Sequence, residues 1–168
     1  MAIVSTAEAG LRAASRATLL QLRAPARRVR DVERDAALLV ASSPIPVVIS
    51  SRCDIALACD AAGVHLPERD VSTRDARTLL GERLVGRSVH SLEGAVAAEE
   101  EGADYVIFGP VWASSSHPEV EPSGLDALGR VARAVRIPVL AIGGVTVERI
   151  EACHRAGAAG YAAISMFE

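Results

Sequence analysis

The chain has 168 residues, 50% of them hydrophobic and 23% charged, with a net charge of −3. These values fit one globular domain over residues 1–168, and the acidic balance lacks the basic footprint that a nucleic-acid partner would require. No apolar run reaches the ~18 residues that a membrane-spanning helix needs. The N-terminus has no basic region followed by an apolar core, so a cytoplasmic protein is expected. All 18 basic residues are arginine. Without lysine no Schiff base can form, and an anion must be held by arginine, backbone N–H groups, hydroxyls or a metal. Cys53, Cys59 and Cys153 lack metal-ligand spacing and read as reduced thiols.

Short apolar runs alternate with longer Ala-, Arg- and Glu-rich segments, the βαβα pattern of a parallel sheet. Strands are predicted over 2–5, 18–23, 46–50, 63–66, 84–88, 105–109, 138–142 and 160–165. Helices are predicted over 7–14, 29–41, 54–61, 72–80, 91–101, 124–134 and 147–156. Ser91 and Thr146 are placed to N-cap their helices, and Gly102 and Gly157 sit where a helix C-terminus wants glycine. Eight strands make a (β/α)8 TIM barrel. The chain stops just after the eighth strand, so the last helix is expected to be missing and the face it would cover to be bare or buried by a second copy in a homo-oligomer.

Strand seven runs into Gly143 and Gly144. A glycine pair at a strand end lets the backbone approach a ligand and leaves N–H groups free to point at it. A phosphate site is one reading; a tight turn without ligand is the other. The longest irregular stretch, 112–123, follows strand six, where a loop is usually functional.

The motifs then fall in a familiar order: LLQLR at 19–23, SSRCDIAL at 50–57, GVHLPERD at 63–70 and GRSVHSLEGA at 86–95. GADYVIFGPVW follows at 102–112, PVLAIGGVT at 138–146 and AGAAGYAAISMF at 156–167. Together they resemble the thiamine phosphate synthase superfamily, which includes the synthase and its sister, the TenI-type thiazole tautomerase. The GRSVHSLE run is more similar to the TenI side. The resemblance implies a thiazole phosphate or thiamine phosphate as the small-molecule partner. Its phosphate would be held by backbone groups of Gly143, Gly144, Ile164 and Ser165, with help from the Ser165 hydroxyl.

Departures from the family pattern shape the expected chemistry. The synthase joins a pyrimidine pyrophosphate to the thiazole phosphate, and the leaving pyrophosphate needs cations. Gln21 and Arg23 match the family, but Pro25 stands where a lysine would. Ser50 and Ser51 replace Asn-Asp, whose Asp is a magnesium ligand, so Asp70 is left as a lone candidate for Mg2+. Ser114, Ser115, Ser116 and His117 replace Thr-Pro-Thr-Lys. The tautomerase needs only a phosphate anchor and one base near neutral pKa, with no required cofactor. The family's base falls at Pro110 here, so His117 or His90 is the substitute. His90 also reads as a satisfied, partly buried histidine packing beside strand six, and His117 as a solvated loop residue. His65 and His154 are given no role.

Ser88 lines the same mouth. Trp112 either stacks on a heterocycle or packs as a lid over the barrel end. Arg23 either faces ligand or pairs with Asp70 or Glu68. The first expectation is a tautomerase-like enzyme of thiamine biosynthesis. The second is a divergent synthase using Mg2+. The third is an inactive regulatory protein that still binds the phosphate ligand.

Overall fold

The structure is a computed structural model and describes residues 1–113 and 120–167. The strands are β1 (Ala2–Val4), β2 (Leu20–Leu22), β3 (Val47–Ser50), β4 (Gly63–Leu66), β5 (Leu84–Val89), β6 (Tyr105–Phe108), β7 (Val139–Ala141) and β8 (Gly160–Tyr161). Between them run α1 (Ala7–Ala13), α2 (Val29–Ser42), α3 (Cys53–Ala58), α4 (Thr73–Leu80), α5 (Leu92–Glu100), α6 (Gly124–Ala134) and α7 (Val147–Arg155). All eight strands are parallel and lie in chain order. Ala163 bridges back to Ala2, and the Ile3 N–H donates to the Ala163 carbonyl at 2.9 Å, so the sheet closes into a (β/α)8 barrel.

Local chemistry accounts for most element ends. The Thr6, Ser72 and Ser91 hydroxyls accept from the N–H groups of Ala9, Asp75 and Gly94 at 3.0–3.2 Å, each starting a helix. Thr146 occupies the N-cap position of α7 without making that side-chain bond to the backbone. Gly102 and Gly157 adopt positive φ (94° and 99°) just past α5 and α7. Helix α3 ends earlier than its apolar pattern suggests, because Asp60 turns into the left-handed region (φ 56°). Strand β8 is shorter than its apolar run: past Tyr161 only Ala163 still bridges, and a turn takes over at Ile164–Met166.

Two apolar layers lie between the strands and the helices, one around Leu20, Leu22, Ile49 and Leu66 and the other around Val106, Phe108 and Leu128. A third fills the lumen with Met1, Ile3, Val48, Tyr105, Ile107 and Ala162. Alternate strand residues face these two environments, which is why each strand reads as a continuous apolar run. Beyond β8, Phe167 is buried and stacks on Tyr161, with the Arg16 guanidinium 5.8 Å from its ring centroid. No helix among the described residues is long and apolar enough to cross a membrane.

Candidate functional site

A cavity of about 660 Å³ opens at the carboxyl ends of the strands. Barrel geometry sends the last inward residue of each strand into it. Gln21 comes from β2, Ser50 from β3, His65 from β4 and Ser88 from β5. The loops after β7 and β8 contribute Gly143, Gly144, Ile164 and Ser165. Arg23, Glu68, His90 and Arg149 stand at the wall.

The glycine pair has a steric cause. Gly143 and Gly144 both lie at positive φ (91° and 62°). A Cβ on Gly143 would sit 2.6 Å from Pro110 Cα, and one on Gly144 would sit 2.6 Å from the Ala113 carbonyl oxygen and 2.8 Å from Trp112 Cβ. The loop after β6 is laced to them: Val111 N–H donates to Ile142 O at 2.8 Å and Trp112 N–H to Gly143 O at 3.1 Å. The pair's carbonyl side is thus taken up by packing. Among the described residues, no backbone acceptor takes the N–H groups of Gly143, Gly144, Ile164 or Ser165. Clustered free N–H groups at a cavity wall suit an anion.

The floor holds a neutral polar chain. His65 is 2% exposed, with Nε2 at 2.8 Å from Ser88 Oγ and Nδ1 at 3.2 Å from Tyr105 Oη. Burial, reinforced by Arg87 and Arg23, lowers its pKa to about 3. Burial likewise pushes the Tyr105 phenol upward, with Asp104 adding to the effect. Neither group ionises near neutrality, so the chain can pass or orient a proton but carries no charge. The Tyr105 ring fits because Gly86 lies beneath it: a Cβ there would fall inside the ring. His65, given no role from sequence, is therefore a lumen residue of the site. Its alternation with buried Val64 and Leu66 was the available signal.

Gln21 is 2% exposed, and its Oε1 has no hydrogen-bond partner. Arg23 is tied by its N–H to Val4 O at 2.8 Å and presents its side chain to the mouth. His90 is exposed at the wall, with its Nδ1 against the Gly109 carbonyl oxygen. That acceptor fixes the proton on Nδ1 and leaves the Nε2 lone pair free when the ring is neutral. Gly109 directly follows β6, so the ring packs beside that strand, and the contact is part-buried while the residue as a whole is exposed.

Two candidates fall outside the cavity wall. The Asp70 carboxylate accepts the Val71 N–H at 2.8 Å, and Asp70 is not among the cavity-lining residues. It is drawn away by the turn that precedes α4. Trp112 packs half-buried against the Val106–Leu128 layer, with the Arg149 guanidinium over its ring. Ser114, Ser115, Ser116 and His117 lie outside the described residues. No group of three His, Cys, Asp or Glu side chains able to hold a metal ion is found among the described residues. Hard divalent cations need several oxygen ligands. With Asp70 turned aside and serines at the end of β3, the described residues do not fit a protein-held Mg2+.

A closed β/α barrel with a cavity at the carboxyl ends of its strands, part apolar and part polar, defines the class: a barrel whose βα loops build its ligand site. The sequence pattern of the thiamine monophosphate synthase family matches residues 2–167, and the chain belongs to that family. A thiamine-phosphate synthase from Anaeromyxobacter dehalogenans is 43% identical over 164 residues, covering 96% of this chain and 73% of that protein. One from Chloroflexus aurantiacus is 41% identical over 122 residues, covering 72% of this chain and 56% of that protein. The chain thus spans between about half and three quarters of the length of these curated relatives. The solved structure of thiamine phosphate pyrophosphorylase from Pyrococcus furiosus superposes with a TM-score of 0.88 at 29% identity, covering 98% of this chain and 84% of that one.

Proposed function

We propose that the chain binds a thiazole phosphate and an aminopyrimidine pyrophosphate together in the mouth cavity and joins them, the reaction of a thiamine phosphate synthase. The observation that carries this is Gln21. A buried acceptor without a partner costs about 1–3 kcal/mol. Turned toward the cavity that the residue lines, the amide would be satisfied by a ligand that brings an N–H donor. A thiazole phosphate has none; an aminopyrimidine has an exocyclic amine. The names of the relatives point the same way.

In this reading the N–H groups of Gly143, Gly144, Ile164 and Ser165 hold the thiazole's phosphate. Gln21 orients the pyrimidine. The thiazole ring nitrogen then attacks the pyrimidine methylene carbon, and the carbon–oxygen bond to pyrophosphate breaks, its electron pair leaving with the pyrophosphate. Arg23 faces the charge that develops there. The Ser88 hydroxyl, held by His65, supplies a fixed polar contact on the floor. The family uses Mg2+ with the leaving pyrophosphate, and no step here is routed through a metal held by this chain.

A second reading, the tautomerase, is favoured by one observation: the free Nε2 of His90 at the wall, the position a base needs. One experiment separates the two. Purified chain is given both synthase substrates with Mg2+ in solution and, separately, thiazole carboxylate phosphate alone, with products followed by NMR. Thiamine phosphate formation, lost in Gln21→Leu, is expected. Saturable binding of both substrates without product sinks the synthase reading. Conversion of the carboxylate to its aromatic isomer, abolished by His90→Ala, would install the tautomerase in its place.

A further inference from the structure

Arg149 is a cation in an unfavourable place. It is the third residue of α7, in the first turn, where the helix dipole already presents positive charge and backbone N–H groups point outward. It is also exposed, so an unanchored side chain would swing into solvent. Two contacts hold it instead. Nη1 donates to the Gly144 carbonyl oxygen at 2.7 Å, and the guanidinium lies 5.0 Å from the centroid of the Trp112 ring. Gly144 has no side chain to obstruct this arrangement, since a Cβ there would strike Trp112 and Ala113. The result is a planar guanidinium anchored at the wall of the mouth cavity, directly beside the glycine pair.

We propose that Arg149 is a specificity-determining residue that reads the phosphate dianion of the ligand. The proposal rests on the phosphate being bound at Gly143 and Gly144. A guanidinium carries five N–H donors in a fixed fork, and the Gly144 carbonyl engages one nitrogen only. The remaining donors are left for a phosphate's oxygens at the same cavity wall, and stacking on Trp112 fixes the plane of the fork in advance. In a chain with no lysine, this is a cation of the cavity wall that is hydrogen-bonded to the glycine pair itself. A phosphorylated thiazole is thereby separated from the corresponding free alcohol, which gives the fork no charge to meet. The rival role is purely structural: a clamp that holds the loop after β7 against Trp112.

The test is titration of the wild type and of Arg149→Ala and Arg149→Gln with thiazole phosphate and with the unphosphorylated thiazole alcohol. The sole tryptophan, Trp112, serves as the fluorescence reporter, and calorimetry checks the constants. Loss of a charge-assisted bidentate contact should weaken phosphate binding by about tenfold or more in both variants, with the alcohol changed less than about twofold. The wild-type phosphate affinity should also fall with added salt more steeply than that of either variant. Arg149→Gln removes the charge but keeps an amide on a shorter side chain, and the uncharged alcohol is the control for the clamp, since loss of the clamp would weaken both ligands alike. Full affinity in Arg149→Gln, or equal losses for phosphate and alcohol, overturns the proposal. If the wild type binds the phosphate and Arg149→Ala binds it equally well, the role of Arg149 fails while the N–H cradle stands. If the wild type binds no thiazole phosphate at millimolar concentration, the cradle and the proposal fall together.

Discussion

The buried imidazole of His65 should make the barrel sensitive to mild acid. Its folded pKa is lowered to about 3, chiefly by burial, against 6.5 for a free histidine. Between those values the unfolded chain binds a proton that the folded chain refuses. Stability therefore rises with pH through this window, is complete above about 6.5 and is lost as pH falls toward 3. Taking both values, the loss between pH 7 and pH 5 is roughly 2 kcal/mol from this one group. That is a large share of the 5–15 kcal/mol typical of a domain. The assay is urea unfolding at pH 7, 6 and 5, comparing wild type with His65→Asn. The variant is expected to be less stable at pH 7, since Ser88 and Tyr105 lose an ideal partner, but to show a flatter pH dependence by about that amount. Carboxylates and the remaining histidines titrate equally in both proteins and cancel in the difference. Identical pH slopes would refute the reasoning, because they would mean that His65 is protonated in the fold or reached by water.

Gln21→Leu should raise the unfolding midpoint, with a gain of about 1–2 kcal/mol from removing the orphaned buried acceptor, while abolishing binding of an aminopyrimidine; a destabilised variant in thermal melts would show that the amide is satisfied in the folded protein. Gly144→Ala meets both a φ of 62° and an oxygen 2.6 Å away, so a destabilisation of about 2 kcal/mol or more is expected together with lost phosphate affinity; an unchanged denaturation curve would contradict the close approach of the β6 and β7 loops. Gly86→Ala should cost about 1–3 kcal/mol by displacing the Tyr105 ring, and should alter the near-ultraviolet tyrosine signal. If neither changes, the lumen is looser than described.

Much of this was readable in one dimension because it is local. A run such as Val47–Ser50 or Tyr105–Phe108 is apolar on both faces and bounded by turn residues, so its identity as a buried parallel strand needs no knowledge of the rest of the chain. Hydroxyl caps at Ser72 and Ser91 act within three residues, and Gly102 and Gly157 answer to their own φ. The glycine pair after β7 was likewise visible, and so were Gln21, Arg23 and Ser88 at strand ends facing one mouth.

Tertiary structure decided what those residues meet. Sequence spacing cannot show that His65 faces Ser88 and Tyr105, which lie 23 and 40 residues away and come together only when β4, β5 and β6 pair in register. The need for glycine at 86 comes from a ring on the neighbouring strand. The need for glycine at 144 comes from a different loop, and it is packing as much as ligand approach. Asp70, a plausible metal ligand by position in the motif, is turned to its neighbour's N–H instead. Arg149 is one of 18 arginines in the sequence, and it is the pairing of β6 with β7 that sets it over Trp112 beside the glycine pair. Periodicity and caps are fixed by interactions a few residues long; the contents of a barrel's mouth are set by strand register across the whole sheet, which no local pattern encodes.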